Sequence, residues 1–242
     1  MKKRLRTLRI TLSAALGIML TLLIATTVLP HGFSAIAKIQ LMPALLSLNI
    51  GILAFWLVAT SLLGRVYCST VCPLGLFQDI CARIGKQLKK KPKRRYRYSA
   101  AHNSLRYAVL AATIIAGIAG AAAVPSLLDP YSAFVRMVGA IVAPSAIGIA
   151  VGGITFVTIG ALAFSGGRTF CNTVCPVGAT LSLASRKPMM RIQIDTSLCI
   201  GCRRCEAECK ASCIDAKNHT IDISRCVMCL DCIPVCHDNA IT

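Results

Sequence analysis

Apolar residues gather into four long runs, at 10–29, 41–64, 107–128 and 137–167, and none of the four contains a charged side chain. About 18 or more such residues, wound as a helix, cross the ~30 Å hydrocarbon core of a bilayer. The fourth run is too long for one simple span, and Pro144 divides it into a lead-in and a helix near 145–165. The pattern therefore predicts four transmembrane helices, near 10–29, 43–64, 106–125 and 145–165. A helical bundle buried in a large soluble protein is the rival reading, but the chain has too little polar sequence to cover such a core. A membrane domain at 1–190 is thus expected to precede a small polar domain at 191–242.

Composition agrees with this division: the 242 residues are 55% hydrophobic, with a mean hydropathy of +0.67. Basic residues set the orientation, because segments rich in Lys and Arg near spans stay in the cytoplasm. Five (Lys2, Lys3, Arg4, Arg6 and Arg9) precede the first run, eleven lie from Arg65 to Arg106, and nine follow the fourth run. The opposite loops hold only Lys38 and Arg136. Both termini are therefore expected on the cytoplasmic face of a multi-pass inner-membrane protein. Ala35-Ile36-Ala37 resembles a signal-peptide cleavage site, but the preceding apolar stretch exceeds the ~7–15 residues of such signals. The same asymmetry accounts for most of the net charge of +18. The run KQLKKKPKRRYR at 86–97 matches the clustered charge that binds nucleic acid. Flanked by spans, it reads as a topology signal resting on anionic lipid headgroups, with no nucleic-acid partner.

Fourteen cysteines all fall on the predicted cytoplasmic side. Thiols stay reduced there, which favours metal ligation over disulfides. The tail reads Cys199-x2-Cys202-x2-Cys205-x3-Cys209, then Cys226-x2-Cys229-x2-Cys232-x3-Cys236. This is the bacterial ferredoxin run written twice, in which the fourth cysteine of each run ligates the other cluster. Cys199, Cys202, Cys205 and Cys236 are assigned to one 4Fe–4S cluster, and Cys226, Cys229, Cys232 and Cys209 to a second. Zinc needs only four ligands, commonly as two CxxC pairs, and leaves half of this pattern unused. The two runs also align outside the ligands at an offset of 27 residues: Ile194-Asp195 with Ile221-Asp222, Ser197 with Ser224, and Ile214 with Ile241. Each half is expected to form a strand, a ligand loop, a helical turn and a second strand, an α+β fold. Cys213 aligns with Ala240 and reads as core packing.

A second duplication, at an offset of 103 residues, lies where apolar runs end. Gly64-Arg65-Val66-Tyr67-Cys68-Ser69-Thr70-Val71-Cys72-Pro73-Leu74-Gly75 recurs as Gly167-Arg168-Thr169-Phe170-Cys171-Asn172-Thr173-Val174-Cys175-Pro176-Val177-Gly178. A weaker echo pairs Phe33-Ser34-Ala35 and Lys38 with Tyr131-Ser132-Ala133 and Arg136. The membrane part thus reads as two duplicated helical hairpins about a pseudo-twofold axis, with Gly152 and Gly153 letting spans approach closely. If each segment is helical, its two thiolates share one face. Cys68, Cys72, Cys171 and Cys175 are then candidates to ligate a third cluster, with Arg65 and Arg168 offsetting its charge. Redox-active dithiols, or two separate sites completed by other ligands, remain open. Cys81 faces Ala184 in the alignment and reads as structural.

Two CxxxCP motifs closing membrane spans, followed by the doubled ferredoxin run, resemble the NapH-type membrane ferredoxins, with related modules in the NosR and CcoG groups. The family usually has Pro after the fourth cysteine of each run, where this chain has Lys210 and His237. The resemblance implies an oxidoreductase subunit of the quinol dehydrogenase type, passing electrons between quinone or quinol and other redox subunits. A CcoG-like assembly factor that reduces a metal ion is an alternative. Such proteins usually carry a further domain after the ferredoxin, whereas this chain runs six residues beyond Cys236. A third reading is a membrane anchor and relay for a catalytic subunit. Neither GxGxxG nor GxxxxGK[ST] nor CxxCH occurs, so no nucleotide, flavin or haem is expected. Asp79, seven residues beyond Cys72, reads as a helix-surface charge more readily than as a quinol proton acceptor. Asp129, followed by Pro130, reads as a turn residue.

Overall fold

Leu, Ile, Ala and Val dominate the apolar runs, and uninterrupted stretches of such residues wind into helix unless Gly, Pro or a capping side chain stops them. In a computed structural model the described residues are 2–25, 39–47, 49–89, 96–121 and 123–241, and they are mostly helical. In chain order come α1 (Lys2–Ala25), α2 (Leu41–Leu46), α3 (Ile50–Leu63), α4 (Val66–Thr70) and α5 (Pro73–Leu88). Then follow α6 (Asn103–Ile118), α7 (Ala123–Leu128), α8 (Pro130–Val142), α9 (Ala146–Gly166), α10 (Thr169–Thr173) and α11 (Pro176–Ala184). The tail adds α12 (Arg204–Glu208) and the strands β1 (Ile214–Asp215) and β2 (Thr220–Ile221).

Two helices, Arg4–Ala25 within α1 and Ala146–Gly166, are long and apolar enough to cross a membrane. The other expected spans differ in identifiable ways. The stretch at 43–64 is divided between α2 and α3, because the Asn49 side chain caps α3 by accepting a hydrogen bond from the Ile52 amide at 3.2 Å. The stretch at 106–125 stops at Ile118, where Gly120 takes a left-handed φ of 78°. The first helix ends at Ala25, and 26–29 lie outside the described residues. At the fourth expected span, 145–165, the helix runs Ala146–Gly166, with Ser145 capping it at Gly148. Its lead-in belongs to a separate helix, α8, whose cap is Asp129: the buried carboxylate accepts from the Ser132 amide at 2.7 Å.

The 103-residue duplication governs packing. The helix after each motif lies on the span of the other copy: α5 packs on α9, and α11 on α3. Likewise α1 packs on α4 and α5, while α6 packs on α10 and α11. Gly152 brings α9 against α8, where an added Cβ would lie 2.7 Å from the Arg136 carbonyl oxygen. Gly153, expected in the same role, faces open space. The echo at Phe33–Lys38, the triplet Ala35-Ile36-Ala37 and residues 90–95 of the basic run lie outside the described residues.

The tail is not clearly α+β. Its regular structure is α12, the two-residue antiparallel pair Ile214↔Ile221 and Asp215↔Thr220, and one bridge, Ile194↔Ile241. The pairing falls outside the two cysteine runs, which are themselves a series of bends. Those bends repeat at the offset of 27. Positive φ occurs at Gly201 and Met228, at Arg203 and Leu230, and at Ser212 and Asn239. Non-glycine residues rarely adopt this region, so its use at matched positions marks one loop geometry built twice.

Candidate iron–sulfur sites

The CxxxCP copies share their backbone course almost residue by residue. Gly64 and Gly167 break their spans with φ of 72° and 73°, and a five-residue helix follows each. It ends at Val71 or Val174, and the amides of Cys72 and Cys175 donate to the carbonyls of Tyr67 and Phe170, both at 3.0 Å. The two thiols of a copy therefore do not share one continuous helix, contrary to expectation. Cys68 and Cys171 lie in the short helices, whereas Cys72 and Cys175 are the N-cap residues of α5 and α11, with Pro at the first helical position. At that terminus amide N–H groups are free to stabilise a thiolate, and the Gly178 amide donates to Cys175 Sγ at 3.3 Å.

The four thiols meet in one apolar core. Each is at most 4% exposed, and they cluster with Trp56, Tyr67, Leu74, Phe170 and Val177. Burial pushes the Cys72 and Cys175 thiols well above their ordinary range, and the neighbouring thiols push them further. Several thiolates held this close, away from water, need compensating positive charge. Two fully buried arginines supply part of it by crossing between the copies. Arg65 Nη2 donates to the Cys171 carbonyl at 3.3 Å and lies 3.9 Å from Cys68 Sγ. Arg168 Nη1 donates to the Cys68 carbonyl at 2.5 Å. The glycines that follow the CP pairs make room for this exchange. A Cβ on Gly75 would lie 2.7 Å from Arg168 Nη1, and one on Gly178 would lie 2.9 Å from Arg65 Nη2. Four thiol donors with two buried guanidinium groups beside them fit the donor chemistry of a 4Fe–4S cluster. Among the described residues, no three His, Cys, Asp or Glu converge tightly enough to hold a single metal ion.

The tail thiols divide by environment. Cys209, Cys226 and Cys232 are buried, Cys229 is half-buried, and Cys229 packs with Val227 against the core of the CxxxCP thiols. Cys205 is buried, whereas Cys199 and Cys236 are half-buried and Cys202 is exposed. Through Cys229 the set of Cys209, Cys226, Cys229 and Cys232, the inner one, reaches the CxxxCP core, while Cys205 of the other, outer set shares a separate buried cluster with Cys209, Cys226 and Cys232. Cys213, read as packing, is buried as expected, but its Sγ also lies 3.5 Å from Cys209 Sγ. Cys81 is half-buried on α5, apart from the thiol sets.

Several residues at this junction carry no motif signal. Ser224 O accepts from Arg65 Nη1 at 3.1 Å and from Arg106 Nη2 at 3.3 Å. Asn172 Nδ2 donates to Ala211 O, and the buried Gln78 amide donates to Cys171 Sγ at 3.4 Å. Asp79 is not a free surface charge. Arg168 Nε lies 2.7 Å from it, Lys210 Nζ 2.9 Å, and Arg9 Nη1 3.7 Å. Burial alone would raise the Asp79 carboxyl, but Arg168 and Lys210 hold it well below the usual carboxylate range. Lys210 also reaches Asp231 at 2.9 Å, and its carbonyl accepts from the Arg168 amide at 2.7 Å. That explains why Lys follows Cys209 where the resembling family has Pro: the side chain ties the tail to α5. The sequence offered its members singly, as an arginine in each motif and as Asp79 and Lys210 near cysteines, with no sign that they meet.

Two stretches, 46–92 and 149–194, match the 4Fe–4S binding domain family, and each contains one CxxxCP copy. Each copy of the motif is thus similar to a 4Fe–4S binding domain. Two uncharacterized proteins of Methanocaldococcus jannaschii, MJ0749 and MJ0750, are each 27% identical over 77% and 76% of the chain, and over 67% and 74% of their own lengths. YccM of Escherichia coli, by its name a candidate electron transport protein, is 24% identical over 76% of the chain and 52% of its own length. No solved structure matches the chain.

Proposed function

We propose that this protein is a multi-pass membrane iron–sulfur electron carrier, similar to the NapH type, that exchanges electrons between the quinone pool and a redox partner. Cys68, Cys72, Cys171 and Cys175 hold a third cluster beside the two of the tail. Four spans place both termini and all the cysteines on the cytoplasmic face. The observation that carries this reading is the single apolar core that encloses the four CxxxCP thiols and extends to Val227 and Cys229 of the inner tail set. The similarity of both motif copies to a 4Fe–4S binding domain supports it. Bound clusters supply one-electron transfer; the chain supplies the rest. Arg65 and Arg168 bring positive charge to the thiolates, and the core residues around them keep water out.

A cavity of about 260 Å³ between α1 and α5 suits the head of a quinol. Ile10, Leu76 and Ile80 give it an apolar wall, and Arg9, Asp79 and Lys210 a polar floor. Asp79 stays ionised there and accepts a hydrogen bond from a quinol hydroxyl. Its Arg168 partner donates to Cys68 O, and Lys210 adjoins Cys209, so the floor touches both cysteine sets. The test is anaerobic purification of the full chain with iron quantitation and EPR. About twelve irons per chain support three four-iron clusters, whereas about eight remove the third. Reduced quinol should reduce the clusters, and Ile80→Trp should block this while leaving reduction by dithionite intact. Clusters that ignore quinol in reconstituted membranes remove the quinone assignment.

A further inference from the structure

The two tail halves differ at one buried position. Ala240 and Cys213, related by the offset of 27, are each 1% exposed. Their backbones do the same work: Cys213 O accepts from the Asp222 amide at 2.8 Å, and Ala240 O from the Asp195 amide at 2.7 Å. Asp195 and Asp222 are themselves related by that offset, so each half makes the same bond to the other. Packing and backbone therefore require no more than a methyl here. The first half nevertheless places a sulfur at this point, 3.5 Å from the Sγ of the inner-set residue Cys209. Ala240 stands correspondingly beside Cys199 and Cys236, lining one recess with them, and offers their sulfurs no donor.

We propose that Cys213 is a positioning residue whose S–H donates to the ligand sulfurs of the inner cluster, chiefly Cys209, and raises that cluster's reduction potential relative to the outer one. This rests on the reading of Cys209 and Cys226 as cluster ligands. As thiolates they carry no proton, so Cys213 is the donor. Cys209, Cys226, Cys229 and Cys232 already complete a four-thiolate set, which leaves Cys213 a fifth thiol outside it. Reduction adds negative charge to the cluster and its sulfurs, and a donor to sulfur stabilises that charge. The donor thereby adds to the difference in burial between the two clusters and shifts the inner potential on its own account.

Redox-titrated EPR on the anaerobically purified full chain tests this. Cys213→Ala should lower the midpoint of one tail cluster, leave the other unchanged and keep the iron content. Cys213→Ser, which retains a donor, should recover part of the shift. Ala240→Cys should raise the midpoint of the other cluster, and it keeps the test open if Cys213→Ala folds poorly. Unchanged midpoints in Cys213→Ala and Ala240→Cys overturn the proposal. So does the loss of about four irons from Cys213→Ala, which would make Cys213 a ligand. The ligand reading fails separately, if Cys209→Ser and Cys226→Ser both retain every cluster signal.

Discussion

The chain's two duplications gather thiols in different ways. In the 103-residue repeat, interior packing does it: Gly75 and Gly178 open space for arginines that cross between copies, and every thiol is buried. In the 27-residue repeat, loop geometry does it, through left-handed residues at matched positions beside the second cysteine of each run. The first arrangement needs both copies at once, because each arginine bonds the other copy's cysteine carbonyl. The second is made from one short tail, in which one set reaches the CxxxCP core through Cys229 and the other includes the exposed Cys202. The difference predicts a rigid, interdependent CxxxCP site and a more tolerant pair of tail sites.

The largest effect should come from Arg168→Leu. It removes the donor to Cys68 O and leaves Asp79, a buried carboxylate, short of its nearest partner. Breaking a buried pair from one side costs about 3–5 kcal/mol. The expected outcome is a protein that loses about four irons while the EPR signals of the tail persist. Loss of the tail signals first would reverse the comparison. Arg65→Leu should act similarly from the other copy, since its guanidinium also holds Asn172 and Ser224.

Smaller effects should separate the two repeats by their glycines. Gly75→Ala and Gly178→Ala both drive a methyl against a cysteine carbonyl and an arginine. Overpacking of this kind costs about 1–3 kcal/mol, and matched costs are expected if the pseudo-symmetry holds. Gly201→Ala meets no atom within 4 Å and pays only for its φ of 69°. That strain is about 1 kcal/mol, and Met228 already tolerates it at the equivalent place. Thermal melts of the three variants, monitored by cluster absorbance, check the order. A Gly201→Ala variant less stable than Gly75→Ala would show that the tail is the stricter of the two.

Both repeats were legible in the sequence because cysteine, glycine and proline spacing records local geometry directly. The helix through 146–166 was legible too, since Pro144 and Ser145 mark its start. The break at Asn49 was not: a single cap within an apolar run leaves hydropathy unchanged, and only the hydrogen bond to Ile52 reveals it. The α+β expectation for the tail, drawn from the alignment of its halves, placed strands at both ends of each half, where the described residues form a two-residue pair and one bridge. The polar junction was hidden for another reason. Asp79, Arg106, Gln78 and Lys210 are far apart in sequence, and their meeting depends on how α5, α6 and the tail pack. Cys213 was classed correctly as buried, but burial alone does not say what a sulfur faces.

The smallest effects should appear at the rim of the contact between the tail and the helices that precede it. Arg6 pairs with Asp231 at 2.7 Å but is a third exposed, and Lys86 pairs with Glu208 at a similarly open place. Exposed pairs contribute about 0.2–1 kcal/mol and weaken with salt, so Arg6→Ala and Lys86→Ala should each cost no more than that. The interior contacts behave differently with pH. Burial pushes the Asp231 and Asp79 carboxyls up, but Lys210 and the neighbouring arginines pull both below their ordinary values. A carboxylate depressed in the folded state stabilises it above the unfolded pKa of about 3.9, and that contribution is lost only as pH falls through the lower folded value. Docking should therefore be flat from about pH 7 to pH 4.5. Hydrogen exchange at the Arg168 amide, which donates to Lys210 O, reads this directly. Protection that weakens across that range would mean the rim pairs, not the buried network, hold the tail against the CxxxCP site.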